Sequence, residues 1–576
     1  MKLLSTSGAV AAAALLLGLA ACGDGGRQGS DRAAATGASS ASQPALAGAA
    51  EAIRSRIAGP AAASGTQDAA RPPADASQDL EALYAPGAYA PLWFDAKRRL
   101  TPVAAEAVTL LSGSVADGLD PADYAAAQLA AGSDALKGGR SPEDQDIAAL
   151  DLAFSEGVLR YLRHLHTGRV DPRKMGFSIP RDTKREDLPA LLRSALQQQN
   201  LGELVERVRP PLEPYRSLRA ALARYRTLAA QPAPAALPAA AELKPGQAYA
   251  GIPALHQRLV LLGDLPVDSA APSGGLYEGA LVDGVKRFQT RHGLEAHGVL
   301  NKATLAALEV PAAQRVRQIE LSLERLRWFP RLEQRRFVGI NIPMFRLWAG
   351  GPETLDGKLA LHMNVIVGKA LNTETPAMVE EMRYIVFSPY WNVPPSIVQK
   401  ELLPALERDP EHLAKQEMEL VRGNSDDAEV VETTPENLAL LQRGELRVRQ
   451  RPGPRNSLGP AKFIFPNDES VYLHGTPAKQ LFDRLRRDLS HGCVRVEDPA
   501  ALALWALQDQ PEWTRERVEA AMAGGQQVKV DLKEPIQVLL FYLTAMAMPG
   551  EDEVHFAADI YGHDKKLEQA LAQRPR

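Results

Sequence analysis

The hydrophobic period of the chain changes once, after Arg335, and that change constrains the fold more than any other feature. Before it, apolar residues recur at helical spacing, as in Ile147, Leu150, Phe154, Val158, Tyr161 and Leu165. After it, Val338, Ile340 and Ile342 alternate with Gly339 and Asn341, and Leu359, Leu361, Met363, Val365 and Val367 alternate likewise. Period two is that of a strand, whose side chains point to opposite faces in turn. Arg383–Val393, Lys462–Phe465, Ser470–His474, Gln526–Leu532 and Ile536–Ala545 add further strands. A helical part followed by a β-rich part gives a multidomain α+β class. At 576 residues the chain exceeds one ordinary core.

Two stretches poor in large apolar groups divide the helical part. Residues 22–79 are rich in Ala, Gly, Ser, Asp and Pro, with few large apolar groups, and read as a disordered tether. Residues 80–228 read as a helical scaffold, and the Pro- and Ala-rich 229–247 as a linker. In residues 248–310, Leu255, Leu259 and Leu262 give one helical stripe, Leu281, Val285 and Phe288 a second, and Leu305 and Leu308 a third. Residues 311–334 hold a connecting helix with Val316, Ile319, Leu323 and Leu326 on one face, expected to dock on the scaffold. Residues 335–576 form the β-rich domain, interrupted at about 401–446 by an insertion that reads as helical and lid-like, or equally as a passive surface insertion.

The net charge of −4 and the lack of any basic run point to no nucleic-acid partner. His164 and His166 stand two apart, so they do not share a helix face, and no metal site is expected. The two cysteines have separate explanations. Met1 and Lys2 precede an apolar stretch from about Gly8 to Ala21, short for a bilayer span and suited to a signal peptide at 1–21. It ends in Leu19-Ala20-Ala21-Cys22, which resembles the lipobox of bacterial lipoproteins. That resemblance implies lipidation of Cys22. With Gly23 rather than Asp after it, the expected place is the periplasmic face of the outer membrane.

Cys493 lies in "LSHGCVRVED", nineteen positions after His474. In a strand ending at His474, Tyr472 and His474 face one way and Val471 and Leu473 the other. The intervening "AKQLFDRLRRDL" reads as a helix that brings the chain back. An imidazole near a thiol can take its proton and leave a thiolate that attacks a carbonyl. Backbone N–H groups around Gly492 and Cys493 can face the oxyanion that develops, and Gly492 permits the close turn. Chemistry alone leaves two readings open, a cysteine acyl-transfer enzyme and a buried, inert thiol.

His474-Gly475 followed by Ser490-His491-Gly492-Cys493-Val494-Arg495 resembles the H-x(14–17)-[ST]-H-G-C motif of the L,D-transpeptidase catalytic domain. "INIPMFRLW", "MNVIVGK", "TP", "EMRYIVFSPYWNVPPSIVQKELLP", "RQRPGPRNSLGPAKFIFPN", "VYLHGTP" and "DIYG" are similar to its large, multidomain periplasmic members. "LHQRLVLLGDL", "VKRFQTRHGLEAHGVL" and "ATLAALE" resemble the three-helix peptidoglycan-binding module, with His297 where that family more often has Asp. The module is alternatively a spacer that binds nothing.

The resemblance implies that Cys493 is the nucleophile and His474 the base, oriented by the backbone carbonyl of Gly475. Ser490 and His491 would shape the turn and the charge around the thiolate, or serve only as turn structure. Arg495 would bind a substrate carboxylate, or pair with Glu497 or Asp498. Tyr472, Tyr390 and Trp391 are expected as pocket walls, or as core. The implied reaction expels D-Ala from a tetrapeptide stem and passes the acyl group to the amine of a second stem, giving a 3→3 crosslink. The implied enzyme is monomeric, uses no metal or organic cofactor, and is inhibited by carbapenems. L,D-carboxypeptidase action, D-amino acid exchange, lipoprotein attachment to the wall and a non-catalytic wall-binding lipoprotein are the alternatives.

Overall fold

The computed structural model describes residues 46–59, 74–138, 141–180, 186–239, 242–270, 274–330, 335–351, 360–370, 373–425, 427–547 and 553–573. The signal-peptide reading of 1–21 and the lipidation reading of Cys22 lie outside these residues.

The alternating residues after Arg335 form a nine-stranded sheet. Its strands are β1 (Phe337–Asn341), β2 (Arg346–Gly350), β3 (Leu361–Gly368), β4 (Met378–Phe387), β5 (Ala461–Ile464), β6 (Leu473–His474), β7 (Asp488–Ser490), β8 (Val494–Val496) and β9 (Val528–Phe541). The order is β7-β3-β8-β6-β5-β4-β9-β1-β2, and β2 also pairs with β3, so the sheet closes on itself. Val338, Ile340, Val365, Val367, Leu473, Val494, Val496 and Val538 fill its core. Alternation along these strands turns one set of side chains inward and leaves the other free for chemistry.

Four expectations need correction. Within the expected tether, Ala47–Ala58 is a helix that buries Ala49, Ala52, Ile53 and Ile57. These sit at i, i+3, i+4 and i+8, and Ala is the strongest helix former, so a small-residue face packs where large residues are few. The segment after Lys479 is not a helix but a short 3-10 turn, Lys479–Asp483, leading into β7. Only Phe482 of its apolar residues is buried and Leu485 is left exposed, so no stripe exists to hold a helix. Gln526–Leu532 and Ile536–Ala545 are not two strands: β9 runs through both, with a register shift between Asp531 and Ile536. The insertion is not purely helical either. Alongside short helices such as Leu403–Arg408 and Pro435–Gln442 it carries a four-stranded sheet of Trp391–Asn392, Met418–Arg422, Glu429–Val431 and Arg447–Gln450, over its own core.

The scaffold is helical, led by the long helix Asp144–Thr167. The connecting helix Ala312–Leu326 joins its core through Ile319, Leu323 and Leu326, as expected from its stripe. Leu539, Phe541, Val554 and Phe556 of the β-rich part enter the same core. Asp117, buried here, accepts hydrogen bonds from Arg209 (3.1 Å) and Tyr215 (3.1 Å) and pairs with Arg219 (2.7 Å). Its backbone carbonyl accepts from Arg327, which also pairs with Glu324 at 2.8 Å.

The small module has its expected three helices, Ile252–Leu262, Ala280–Arg291 and Lys302–Leu308, around a core of its own. Arg291 ties it to the β-rich part: it pairs with buried Asp264 at 2.6 Å and donates to the Val554 carbonyl at 2.7 Å.

Candidate active site

Strand β6 lies between β5 and β8. Its register sets Leu473 opposite Val494 and His474 opposite Arg495 in a parallel pair. Val494 N–H donates to the Tyr472 carbonyl at 3.1 Å, extending the pairing back to Cys493. Leu473 and Val494 enter the core. By alternation Tyr472, His474, Cys493 and Arg495 share the opposite face.

The His474 ring is buried and donates its Nδ1–H to the Gly475 carbonyl at 2.6 Å. A carbonyl cannot donate, so this contact makes Nδ1 the protonated nitrogen of the neutral ring. Burial, and then the Arg495 charge, push the imidazole down to about 3; the Gly475 and Leu458 carbonyls act in the other direction. Burial pushes the Cys493 thiol up, while Tyr472 and Arg495 draw it down. The thiol donates to the Ser470 carbonyl at 3.9 Å. At neutral pH the resting state is therefore a thiol and an uncharged imidazole on one face of the β6–β8 pair. Burial, with Cys493 adding to it, raises the Tyr472 hydroxyl well above its ordinary value, so it stays a donor.

The turn before β8 is held from within and from outside. Ser490 Oγ donates to the Cys493 carbonyl at 2.5 Å and accepts from Gly492 N–H at 3.3 Å. Gly492 has φ +112°, a conformation that favours glycine. Its N–H is thus turned toward Ser490, whereas the Cys493 N–H has no acceptor among the described residues. The Gly492 carbonyl accepts from Thr375 Oγ1 at 2.7 Å. Thr375 in turn accepts from Gly368 N–H at 2.8 Å, and Tyr561 donates to the Gly368 carbonyl at 2.5 Å.

Other expected residues lie elsewhere. His491 is exposed, and its Nε2 stands 2.9 Å from Glu401 Oε1 of the insertion, so it links the cysteine turn to that element. Tyr390 lies under the Arg449 guanidinium at 4.3 Å, and Trp391 packs on the insertion core. Both sit at the root of the insertion. Arg495 forms no ion pair with Glu497 or Asp498. Glu497 accepts from Asn364 N (2.9 Å) and Nδ2 (3.1 Å), and Asp498 caps the next helix through Ala501 N–H at 2.9 Å.

Sequence reasoning did not single out Thr375, Tyr561, Leu458 or Gly459. The first two stand in the short stretches "TP" and "DIYG", which carry no nucleophile or base and so drew no chemical attention. Gly459 (φ +65°) lies so close to the neighbouring strand that a Cβ there would meet Thr476 N at 2.5 Å and the Gly475 carbonyl carbon at 2.6 Å.

Three known domains match segments of this chain. Residues 335–529 match the "L,D-transpeptidase catalytic domain", residues 249–308 the "Putative peptidoglycan binding domain" and residues 78–222 the "Scaffold domain". A "Putative L,D-transpeptidase" of Haemophilus influenzae is 31% identical over 255 residues, which span 44% of this chain and 49% of that protein, about half its length. The crystal structure of an L,D-transpeptidase (residues 123–326) from Xylanimonas cellulosilytica aligns at 17% identity, over 53% of this chain and 99% of that one, with a TM-score of 0.16, too low to carry an argument. Most of β9, and Tyr561 beyond it, lie outside the matched catalytic segment. Residues 335–529, with His474 and Cys493 among them, belong to the L,D-transpeptidase catalytic-domain family.

Proposed function

We propose that this chain is a cysteine L,D-transpeptidase of the cell envelope that forms 3→3 crosslinks in peptidoglycan. The carrying observation is the shared face of β6 and β8, which holds the uncharged His474 imidazole and the Cys493 thiol, with the Cys493 N–H unengaged among the described residues.

In the first half-reaction His474 Nε2 takes the thiol proton and Sγ attacks the carbonyl of the third stem residue. The developing oxyanion is met by the Cys493 N–H. The carbon–nitrogen bond to the terminal D-Ala breaks, the imidazolium returns its proton to the leaving amine, and a thioester remains. In the second half-reaction the side-chain amine of another stem attacks the thioester, gives its proton to the imidazole, and Sγ leaves and is reprotonated. Ser490 and Gly492 fix the turn that holds Sγ, and Tyr472 lines the pocket beside it. Attachment to the outer membrane through Cys22 belongs to the same reading, with the helical module serving to hold the enzyme at its polymer.

Incubation with disaccharide tetrapeptides, followed by mass analysis of the products, tests the reaction. Crosslinked dimers with release of D-Ala support it. Tripeptide monomers alone indicate that water is the acceptor, and unchanged substrate contradicts acyl transfer.

A further inference from the structure

We infer that Glu401, pinned over the cysteine turn by His491, draws in the cationic amine of the acceptor and so favours an amine over water as the group that resolves the thioester. The inference rests on the acyl-transfer reading above and names what selects the acceptor within it.

Placement supports it first. Glu401 stands in the first helical run of the insertion, residues 395–408. Val398, Leu402 and Leu406 of that run are buried in the insertion core, which leaves Glu401 outside it. The turn Val398–Leu402 is a π-helix, a rare geometry that is frequent at functional sites. Glu401 Oε1 meets His491 Nε2 at 2.9 Å, and His491 stands two residues before Cys493. Two residues of chain span at most about 7 Å, so the pair is rooted beside the nucleophile. The Glu401 and His491 side chains remain 53% and 40% exposed, so an incoming group can reach them.

Charge supports it second. An alkyl amine titrates near 10.4, so the acceptor arrives as an ammonium. Arg495 shares the face of the thiol, and Lys369 bonds through its N–H to the Ser490 carbonyl, so the surroundings of the turn are cationic. The other acids near the turn are engaged elsewhere. Asp488 pairs with Arg486 at 2.7 Å, Glu374 faces His563 at 3.9 Å, and Glu497 and Asp498 serve Asn364 and the helix cap. Glu401 uses one oxygen on His491, and its second has no partner among the described residues. Its carboxylate offsets the nearby cations for an ammonium, whereas uncharged water gains nothing from it. Because the pair is half exposed, the attraction is screened, and it concentrates the amine without locking its proton. The ammonium gives one proton to solvent. Its nitrogen then forms the C–N bond as the C–S bond breaks, and the second proton passes through His474 to Sγ.

The test incubates the protein with disaccharide tetrapeptides and reads crosslinked dimers against tripeptide monomers by mass. Glu401→Gln keeps a hydrogen-bonding group for His491 and removes only the charge. It should lower the dimer-to-tripeptide ratio about fivefold, the weight of one unit charge at about 4 Å in water. Thioester formation, read by intact mass, should stay within a few-fold, and Glu401→Asp should restore part of the ratio. Added salt should lower the wild-type ratio and leave that of Glu401→Gln flat. Release of the thioester by hydroxylamine, an uncharged amine at neutral pH, should be equal in both proteins. A wild-type ratio in Glu401→Gln overturns the inference. So does an equal loss of thioester formation, dimers and hydroxylamine release, which assigns Glu401 to holding the cysteine turn instead. Wild-type protein that forms the thioester but yields tripeptide alone contradicts crosslinking, and wild-type protein that forms no thioester contradicts acyl transfer; the inference falls with either.

Discussion

The His474 imidazole donates to the backbone carbonyl of Gly475 at 2.6 Å, so a main-chain oxygen fills the orienting place beside the ring. A carbonyl fixes the tautomer without adding a negative charge that would hold the ring protonated. Burial and then the Arg495 charge, against the pull of that carbonyl, keep the imidazole uncharged down to about pH 3. The base is competent only when deprotonated, so acylation should show no step at the ordinary histidine value of about 6.5. It should instead climb on the alkaline side as the thiol, raised by burial, ionises. A pH–rate profile of single-turnover acylation checks this, and an inflection near 6.5 contradicts it.

The same shift has a stability consequence. Unfolded chains take up a proton at His474 near 6.5, whereas the native protein does so only near 3. Between those values the unfolded state binds more protons, so stability falls as pH is lowered from about 6.5 toward 3. Denaturant midpoints measured across that window should drop, and His474→Gln should drop less steeply.

Gly459 lets the loop after the insertion lie against Gly475, and its φ of +65° adds to the demand for glycine. Gly459→Ala places a Cβ against backbone atoms that cannot give way as a side chain would. Donor acylation should fall by tenfold or more, while far-ultraviolet circular dichroism stays unchanged. Wild-type acylation in this variant contradicts the packing argument.

Thr375→Val removes the hydroxyl that bridges the Gly492 carbonyl and Gly368 N–H. Leaving such buried groups unpaired costs about 1–3 kcal/mol. The variant should show slower acylation with Cys493 still present by thiol titration. Tyr561→Phe should do the same more weakly, because it acts one contact further away.

The strands and the face that carries the chemistry were legible in the sequence. Alternation in Ser470–His474 puts Tyr472 and His474 on one side, and the structure keeps that. The connecting helix was legible for the same reason, since Ile319, Leu323 and Leu326 repeat at helical spacing and pack as read. What was not legible depends on partners remote in sequence. Ala49, Ala52, Ile53 and Ile57 form a helix face only because a long scaffold helix receives them. The segment of Phe482 and Leu485 reads as helical, but Phe482 is buried alone and Leu485 is left exposed, so no stripe holds a helix. The link between His491 and Glu401 joins positions ninety residues apart, which no local pattern could signal.

Asp117 holds two buried or half-buried guanidinium groups and two phenols, those of Tyr215 and Tyr161, beneath the scaffold. Asp117→Ala removes the buried partner of Arg219 and of Arg209, which keeps only the exposed Glu206, and breaking a buried pair from one side costs about 3–5 kcal/mol. Chemical denaturation should show a loss of that order. A change below about 1 kcal/mol would mean that the cluster is solvated and contributes little.

The most direct measurement is the intact mass of the protein after brief exposure to a tetrapeptide donor, with the adduct mapped by proteolysis. The account predicts one acyl group, equal to the donor less D-Ala, on Cys493, absent from Cys493→Ala and strongly reduced in His474→Ala. An adduct on another residue, or release of D-Ala by Cys493→Ala at the wild-type rate, would contradict it.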